Sequence, residues 1–276
     1  MGARTQIVSN RRTVSVRECA EIARSAGEAS KFVFTNIDHA QVERYLDPCA
    51  NTLYPLEYAF HLLGDIRNKT VVDLGCGKGE NMVPLAKRGA DVTGIDISPD
   101  LIQLALQRIV AANINARVLV GSAYETGLES ESVDVIFCVA LIHHLDIPRV
   151  RDEMYRILKK GGFIVLLEPV RFSKFYDLVR KALPAQEDTS EFEHPLTMQE
   201  LDCIGGAFTR ENQRLFRLPF VAIPHRLFHK PNRLSYKVSD WIIHTCPAFE
   251  HFATNVVVRL RKTNSLKLQL VSARPT

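Results

Sequence analysis

No run of about 18 apolar residues occurs in the 276-residue chain, so the sequence contains no candidate bilayer-spanning helix. The stretch "MGARTQIVSNRRTVSVREC" lacks an apolar core after its arginines and does not read as a secretory signal. The six cysteines, at 19, 49, 76, 138, 203 and 246, include no CxxC pair and no neighbouring histidine at metal-ligand spacing. A reducing, cytoplasmic setting is therefore expected, with no structural zinc or other bound metal. Internal repeats and low-complexity tracts are also missing.

What is present suits a soluble α/β protein: 46% of residues are hydrophobic and 24% charged, and the length accommodates one large domain with an appendage. The net charge of +4 is unevenly placed, at +1 over 1–69, −3 over 70–170 and +6 over 171–276. From residue 70, short β-branched runs alternate with amphipathic helical stretches, the pattern of βαβ units in a parallel sheet. Strands are expected at 70–74, 90–96, 116–121, 132–140 and 161–169, and a helix is expected to open with Ser98 as N-cap and Pro99 at its first position. Another helix, "PRVRDEMYRILKKGG", should run to Gly161-Gly162. Past residue 170 the rhythm breaks: "FSKFYDLVRKAL" reads as a helix, Thr197 and Glu200 form a capping box, and strands are expected at 214–221 and 252–262.

The most informative stretch is "VVDLGCGKGE", 71–80, where Gly75, Gly77 and Gly79 follow the acid Asp73. A glycine-rich turn from strand to helix lets a ligand approach the backbone and its N–H donors. The spacing is G-x-G-x-G, unlike the G-x-G-x-x-G of dinucleotide sites. A carboxylate beside a pyrophosphate would suffer like-charge repulsion, whereas beside an ammonium group it becomes a partner. The loop therefore suits a zwitterion, its carboxylate on the backbone donors and its amine drawn to Asp73. Asp96 ends the next strand, where a carboxylate accepts two ribose hydroxyls. An amino-acid end plus a ribose describes S-adenosylmethionine.

With "VVDLGCGKG", "VTGIDIS", "VDVIFCVALIHHL" and "LKKGGFIVLLEP" in this order, the chain resembles the class I (Rossmann-like) S-adenosylmethionine-dependent methyltransferases, in particular their UbiE-like small-molecule branch. The resemblance spans residues 70–170 by motif and, more loosely, 45–262 by element order. It implies a doubly wound, mostly parallel sheet with an antiparallel last strand and helices on both faces, an N-terminal helical cap (1–69), a domain over 70–262 with a C-terminal lid insertion at about 170–250, and a tail at 263–276. It further implies that Asp73, Gly75, Cys76, Gly77 and Gly79 surround the methionine portion, that Asp96 holds the ribose and that Ile97 lies against adenine. Ser122, followed by Ala123, stands where the family commonly has an acid for the adenine amine, and Cys138 and Val139 line the methionine end. Cys76 and Cys138 read as small packing residues in preference to nucleophiles, since neither has a visible basic partner.

The reaction implied is methyl transfer from S-adenosylmethionine to a small-molecule acceptor, with oxygen preferred. C-methylation of a quinone-like or lipidic acceptor, an NAD-dependent oxidoreductase and a non-catalytic S-adenosylmethionine-binding module are the alternatives. A hydroxyl acceptor needs a general base, and His143, His144 and Glu168 follow or end strands at the ligand-binding edge. Satisfaction by backbone donors is the alternative reading of Glu168. Tyr45, Tyr54 and Tyr58 are candidates for the substrate pocket or for ordinary core packing. No N/D-P-P-Y/F motif follows the fourth strand, which argues against amide or base nitrogen as acceptor, and no nucleic-acid partner is expected. The basic, aromatic stretch 209–237 suits an anionic or lipidic acceptor or peripheral contact with membrane lipid; outward-facing strand arginines are the plainer reading.

Overall fold

The computed structural model describes residues 5–7, 14–32, 37–172, 194–221 and 233–263. Its centre is a sheet built from β1 (Thr5–Ile7), β2 (Thr70–Leu74), β3 (Asp91–Asp96), β4 (Ala116–Val120), β5 (Val133–Val139), β6 (Leu158–Pro169), β7 (Thr209–Phe216) and β8 (Asn255–Arg261). The spatial order is β1-β4-β3-β2-β5-β6-β8-β7. β8 runs antiparallel to both neighbours, β6 and β7. The chain winds outward from β2 through β3 and β4, then returns to build β5 and β6 on the other side. The β2/β5 boundary is thus a topological switch point, where open α/β sheets bind ligands beyond the strand carboxyl ends.

Burial of the sheet on both faces explains the near-continuous apolar strands. Successive residues of β2 feed two cores: Val71 joins Phe60, Phe137, Val165 and Val257 on one face, and Val72 joins Ile136, Met154, Leu166 and Val258 on the other. Helices α3 (Pro55–Leu63), α4 (Met82–Lys87) and α5 (Pro99–Ala112) supply the first face. The second is covered by α6 (Ile147–Ile157) and α7 (Met198–Gly205), the latter opened by the Thr197–Glu200 capping box. Ser98 caps α5 by accepting from Leu101 N at 3.3 Å. The short α2 spans His39–Glu43, and α8 spans Arg233–Thr245.

Several boundaries differ from the sequence expectation. α6 stops at Ile157, and Leu158–Lys160 already belong to β6, where Lys159 reaches Asp134 of β5 at 2.9 Å and Gly161 N bonds Lys262 O at 3.2 Å. Cross-strand partners therefore replace the last helical turn. β7 lies at 209–216 instead of 214–221, and Arg217 ends it with a left-handed backbone, φ 59°. The N-terminal segment is not wholly helical, because Thr5–Ile7 pair in parallel with β4. The helix expected at 172–183 lies outside the described residues except for Phe172, as do residues 222–232 of the basic stretch. No helix among the described residues is long and apolar enough to cross a membrane.

Candidate functional site

Helix α1 (Val16–Lys31) is capped by a Ser15–Glu18 box and packs beside α5. Between α1 and the carboxyl ends of β2–β5 lies a cavity of about 190 Å³. Its sheet-side wall includes Gly75, Gly77, Asp96, Ile97, Ser122, Ala123, Ala140 and His144, and α1 supplies Arg17, Glu18, Glu21, Arg24, Ser25 and Glu28. Six of the sequence candidates therefore share one wall with His144.

The glycine loop takes its shape from positive φ, 74° at Gly75 and 49° at Gly77. A Cβ on Gly75 would lie 2.9 Å from the Leu141 side chain, whereas one on Gly77 would project into open space. Gly77 thus leaves room for a ligand as well as supplying conformation. Gly79 has a packing role instead, since a Cβ there would meet Ala105 of α5 at 3.0 Å. The donor reading is corrected: Gly75 N and Cys76 N both donate to Ile95 O, at 2.8 and 3.0 Å, and Gly77 N donates to Asp96 Oδ2 at 2.9 Å. These three N–H groups are already engaged. The cations lining the cavity are Arg17, Arg24 and Lys78.

Asp73 is 1% exposed, and neither carboxylate oxygen has a hydrogen-bond partner among the described residues. Burial, with the Asp96 charge adding to it, pushes its pKa up to about 8. An orphaned buried carboxylate is costly, and a cationic group is the partner that would relieve it. Asp73 stands directly behind the wall residues Leu74 and Gly75 in sequence, and is not itself on the wall. Asp96 accepts from Gly77 N and Ser98 N, both at 2.9 Å. Burial raises its pKa despite those two bonds.

After β4, Ser122 Oγ donates to Glu18 Oε1 at 2.6 Å, and Tyr124 N donates to Ser122 Oγ at 3.1 Å. A carboxylate of α1 thus stands beside Ser122, the sequence position after β4 that lacks an acid. Glu21 continues the acidic stripe and lies 3.3 Å from His144 Nδ1. Burial pushes the Glu21 carboxyl up, but His144 and Arg24 prevail and hold it down at about 2.

The three base candidates separate. His144 is on the cavity wall; His143 and Glu168 are not. Glu168, 0% exposed, accepts from Leu141 N and Ile142 N through Oε1, at 3.0 and 2.8 Å, and its Oε2 meets His143 Nδ1 at 2.8 Å. Both oxygens are consumed in holding the 3-10 turn Ile142–His144, so Glu168 has no route to an acceptor. The His143 ring lies tilted against His144, with centroids 4.0 Å apart and the planes at 41°. Cys76 and Cys138 are buried off the wall, and burial pushes both thiols well above their usual range. Val139 also lies off the wall.

The tyrosines lie elsewhere. Tyr45 stacks on core residue Phe60 at 4.9 Å, Tyr54 meets Tyr236 of α8 at 5.2 Å, and Tyr58 packs on Phe216 of β7 at 5.5 Å. None lines the cavity; α3 carries the latter pair toward β6 and β8 instead.

A doubly wound sheet with an antiparallel β8, a glycine loop after β2 and an acid ending β3 define a Rossmann-like fold with its ligand edge beyond β2 and β3. Residues 72–166 match the family described as "Methyltransferase domain", in line with the class I, S-adenosylmethionine-dependent resemblance that the motifs carry. Among curated proteins the chain is 31% identical over 124 residues to a ubiquinone biosynthesis O-methyltransferase of Nitrosomonas europaea, covering 44% of this chain and 52% of the relative. It is 34% identical over 132 residues to a demethylmenaquinone methyltransferase of Tropheryma whipplei, covering 46% and 54%. The chain thus spans about half the length of these two relatives. The structure of geranyl diphosphate C-methyltransferase from Streptomyces coelicolor A3(2), in complex with S-adenosyl-L-homocysteine, shares the fold with a TM-score of 0.61 at 16% identity, over 91% of this chain and all of that one.

Proposed function

We propose that the chain transfers a methyl group from S-adenosylmethionine to the oxygen of a small-molecule acceptor of the aromatic, quinone-precursor type. The observation that carries this reading is the orphaned carboxylate of Asp73 beside a glycine-lined cavity that also presents Asp96. Both fit the cofactor: Asp73 suits the methionine amine, and Asp96 keeps lone pairs for ribose hydroxyls beyond its two backbone bonds. Arg17, Arg24 and Lys78 are the wall cations suited to the cofactor carboxylate. Names of the relatives in quinone biosynthesis support the acceptor class.

When bound, the cofactor supplies an electrophilic methyl group. The protein's own contribution is alignment, exclusion of water and removal of a proton. α1 closes over the strand ends and so shields the cavity. In this reading His144, a cavity-wall residue with Nδ1 beside Glu21, takes the acceptor proton at Nε2, and the Glu21 carboxylate stabilises the imidazolium that forms. Glu168 and His143 position that turn. The N-terminal segment acts as the cap, and the region following β6 contributes to the acceptor side.

Calorimetric titration with S-adenosylhomocysteine and with NADH tests the cofactor reading: saturable heat with the first and none with the second is expected. Incubation of cell extract with methyl-labelled cofactor, followed by mass spectrometry, then identifies the product. Label on a carbon instead of an oxygen would overturn the O-transfer reading.

A further inference from the structure

β7 ends at the same edge of the sheet as the cofactor cavity: Phe216 is in register with Asn255 of β8, and Asn255 with Pro169, the last residue of β6. The next residue, Arg217, departs from its neighbours. Arg210 pairs with Asp202, Arg214 with Asp240 and the Ala50 carbonyl, and Arg259 and Arg261 with Glu211. Among the described residues the Arg217 guanidinium has no carboxylate and no hydrogen-bond acceptor, and its Nε is buried. The guanidinium lies over the Tyr236 ring, 5.3 Å from the centroid, and Tyr236 in turn packs against Tyr54 at 5.2 Å.

The placement is enforced. Arg217 is held at φ 59°, a conformation that L side chains seldom adopt. Thr254 fixes it there, donating to Arg217 O from its backbone N at 2.9 Å and from Oγ1 at 3.2 Å. Strain maintained by the surroundings at a ligand-binding edge motivates a functional reading. A guanidinium partly withdrawn from water with no anion among the described residues is an incomplete ion pair, and its planar fork matches a carboxylate or phosphate.

We propose that Arg217, stacked on Tyr236, is the recognition site for an oxyanion, a carboxylate or phosphate, carried by the acceptor at the end remote from the methylated atom. Three strand spacings separate β7 from β5, or about 14 Å at about 4.8 Å each. The acceptor is accordingly an elongated anionic molecule whose reacting end lies at His144. This assignment rests on the methyltransferase reading for its distance, while the oxyanion site itself stands apart from it.

The test is calorimetric titration of the full chain, with and without saturating S-adenosylhomocysteine, using benzoate and inorganic pyrophosphate as separate probes. Saturable binding of at least one probe is expected, at least tenfold weaker in Arg217→Gly and intermediate in Arg217→Lys. Glycine accepts the left-handed backbone, so Arg217→Gly should keep its melting midpoint and its affinity for S-adenosylhomocysteine. Binding of benzoate alone assigns a carboxylate, and binding of pyrophosphate alone a phosphate. Failure of both probes, or unchanged binding by Arg217→Gly, overturns the site. Failure of S-adenosylhomocysteine to bind while the probes succeed overturns the cofactor reading and leaves the oxyanion site standing.

Discussion

Ser122 Oγ and Glu18 Oε1 lie 2.6 Å apart, joining the loop after β4 to the covering helix α1. Glu18 also accepts from Ser15 N through Oε2, at 2.9 Å, so one buried carboxylate both caps α1 and fastens it over the cavity. Glu18→Ala should release the helix and weaken S-adenosylhomocysteine binding about tenfold, in line with the 1.5–3 kcal/mol typical of hydrogen bonds to a charged group. Ser15→Ala loses the cap and keeps the Ser122 contact, so its effect on binding should be smaller. Equal affinities for Glu18→Ala and the unaltered chain would remove α1 from the cofactor site.

Asp73 should make cofactor affinity depend on pH. Its folded-state pKa of about 8 lies above the ordinary carboxylate value of about 3.9, so the folded chain holds a proton that the unfolded chain has lost. Stability contributed by this group should therefore fall as pH rises from about 4 to about 8. Binding a cationic amine favours the ionised form, so cofactor affinity should rise over the same window and binding near pH 7 should release a proton. Titrations in buffers of different ionisation enthalpy count that proton. Asp73→Asn should abolish the release and flatten the stability profile; a proton count unchanged by the substitution would assign the linkage to another group.

Asp96 should contribute more directly. Asp96→Ala removes two charge-assisted hydrogen bonds to a ribose, at a cost of about 2–4 kcal/mol of cofactor affinity. It also leaves Gly77 N and Ser98 N without their acceptor, so the melting midpoint should fall as well. Calorimetry that returned the unaltered affinity would place the ribose elsewhere.

The parallel strands were legible because burial on both faces demands β-branched runs such as "TVVDL", and α5 because Ser98-Pro99 is a strong start signal. The Gly75–Gly77 turn and Asp96 were legible through spacing. The cavity-facing role of α1 was hidden for a physical reason. Pattern reading assigns a polar helical stripe to solvent, yet Glu18, Glu21, Ser25 and Glu28, at helical spacing, face the cavity. The signal available was the capping box with polar residues, Glu18, Glu21, Ser25 and Glu28, recurring every third or fourth position. The destinations of Tyr54 and Tyr58 depend on the path of α3 over β6 and β8, which no local pattern encodes. The end of α6 was misplaced because "ILKKGG" fits a basic last turn and glycine stop as well as it fits a strand. The Lys159–Asp134 pairing that decides between them is nonlocal.

Glu168 and His143 should matter for stability more than for proton transfer. Glu168→Ala strips acceptors from Leu141 N, Ile142 N and the His143 ring at a fully buried site. A loss of about 3–5 kcal/mol is expected, the range for breaking a buried paired carboxylate. Denaturant titration measures it, and a loss under about 1 kcal/mol would show that the turn is held by other contacts.

His144 is the candidate that touches the cavity, and its prediction separates chemistry from binding. His144→Ala should lower turnover about 10²–10⁴-fold on a hydroxyl acceptor, the usual contribution of a general base, while S-adenosylhomocysteine affinity stays within a few fold. His143→Ala should lower turnover less and act through position, since its ring lies behind His144 and is held by Glu168. Glu21→Gln keeps the side-chain shape and removes the charge beside His144 Nδ1. Turnover of Glu21→Gln should therefore fall, because the imidazolium formed on proton transfer loses its neighbouring carboxylate. Full turnover by His144→Ala, with chemistry shown to be rate-limiting, would mean that the protein works by alignment alone and that the acceptor arrives already ionised.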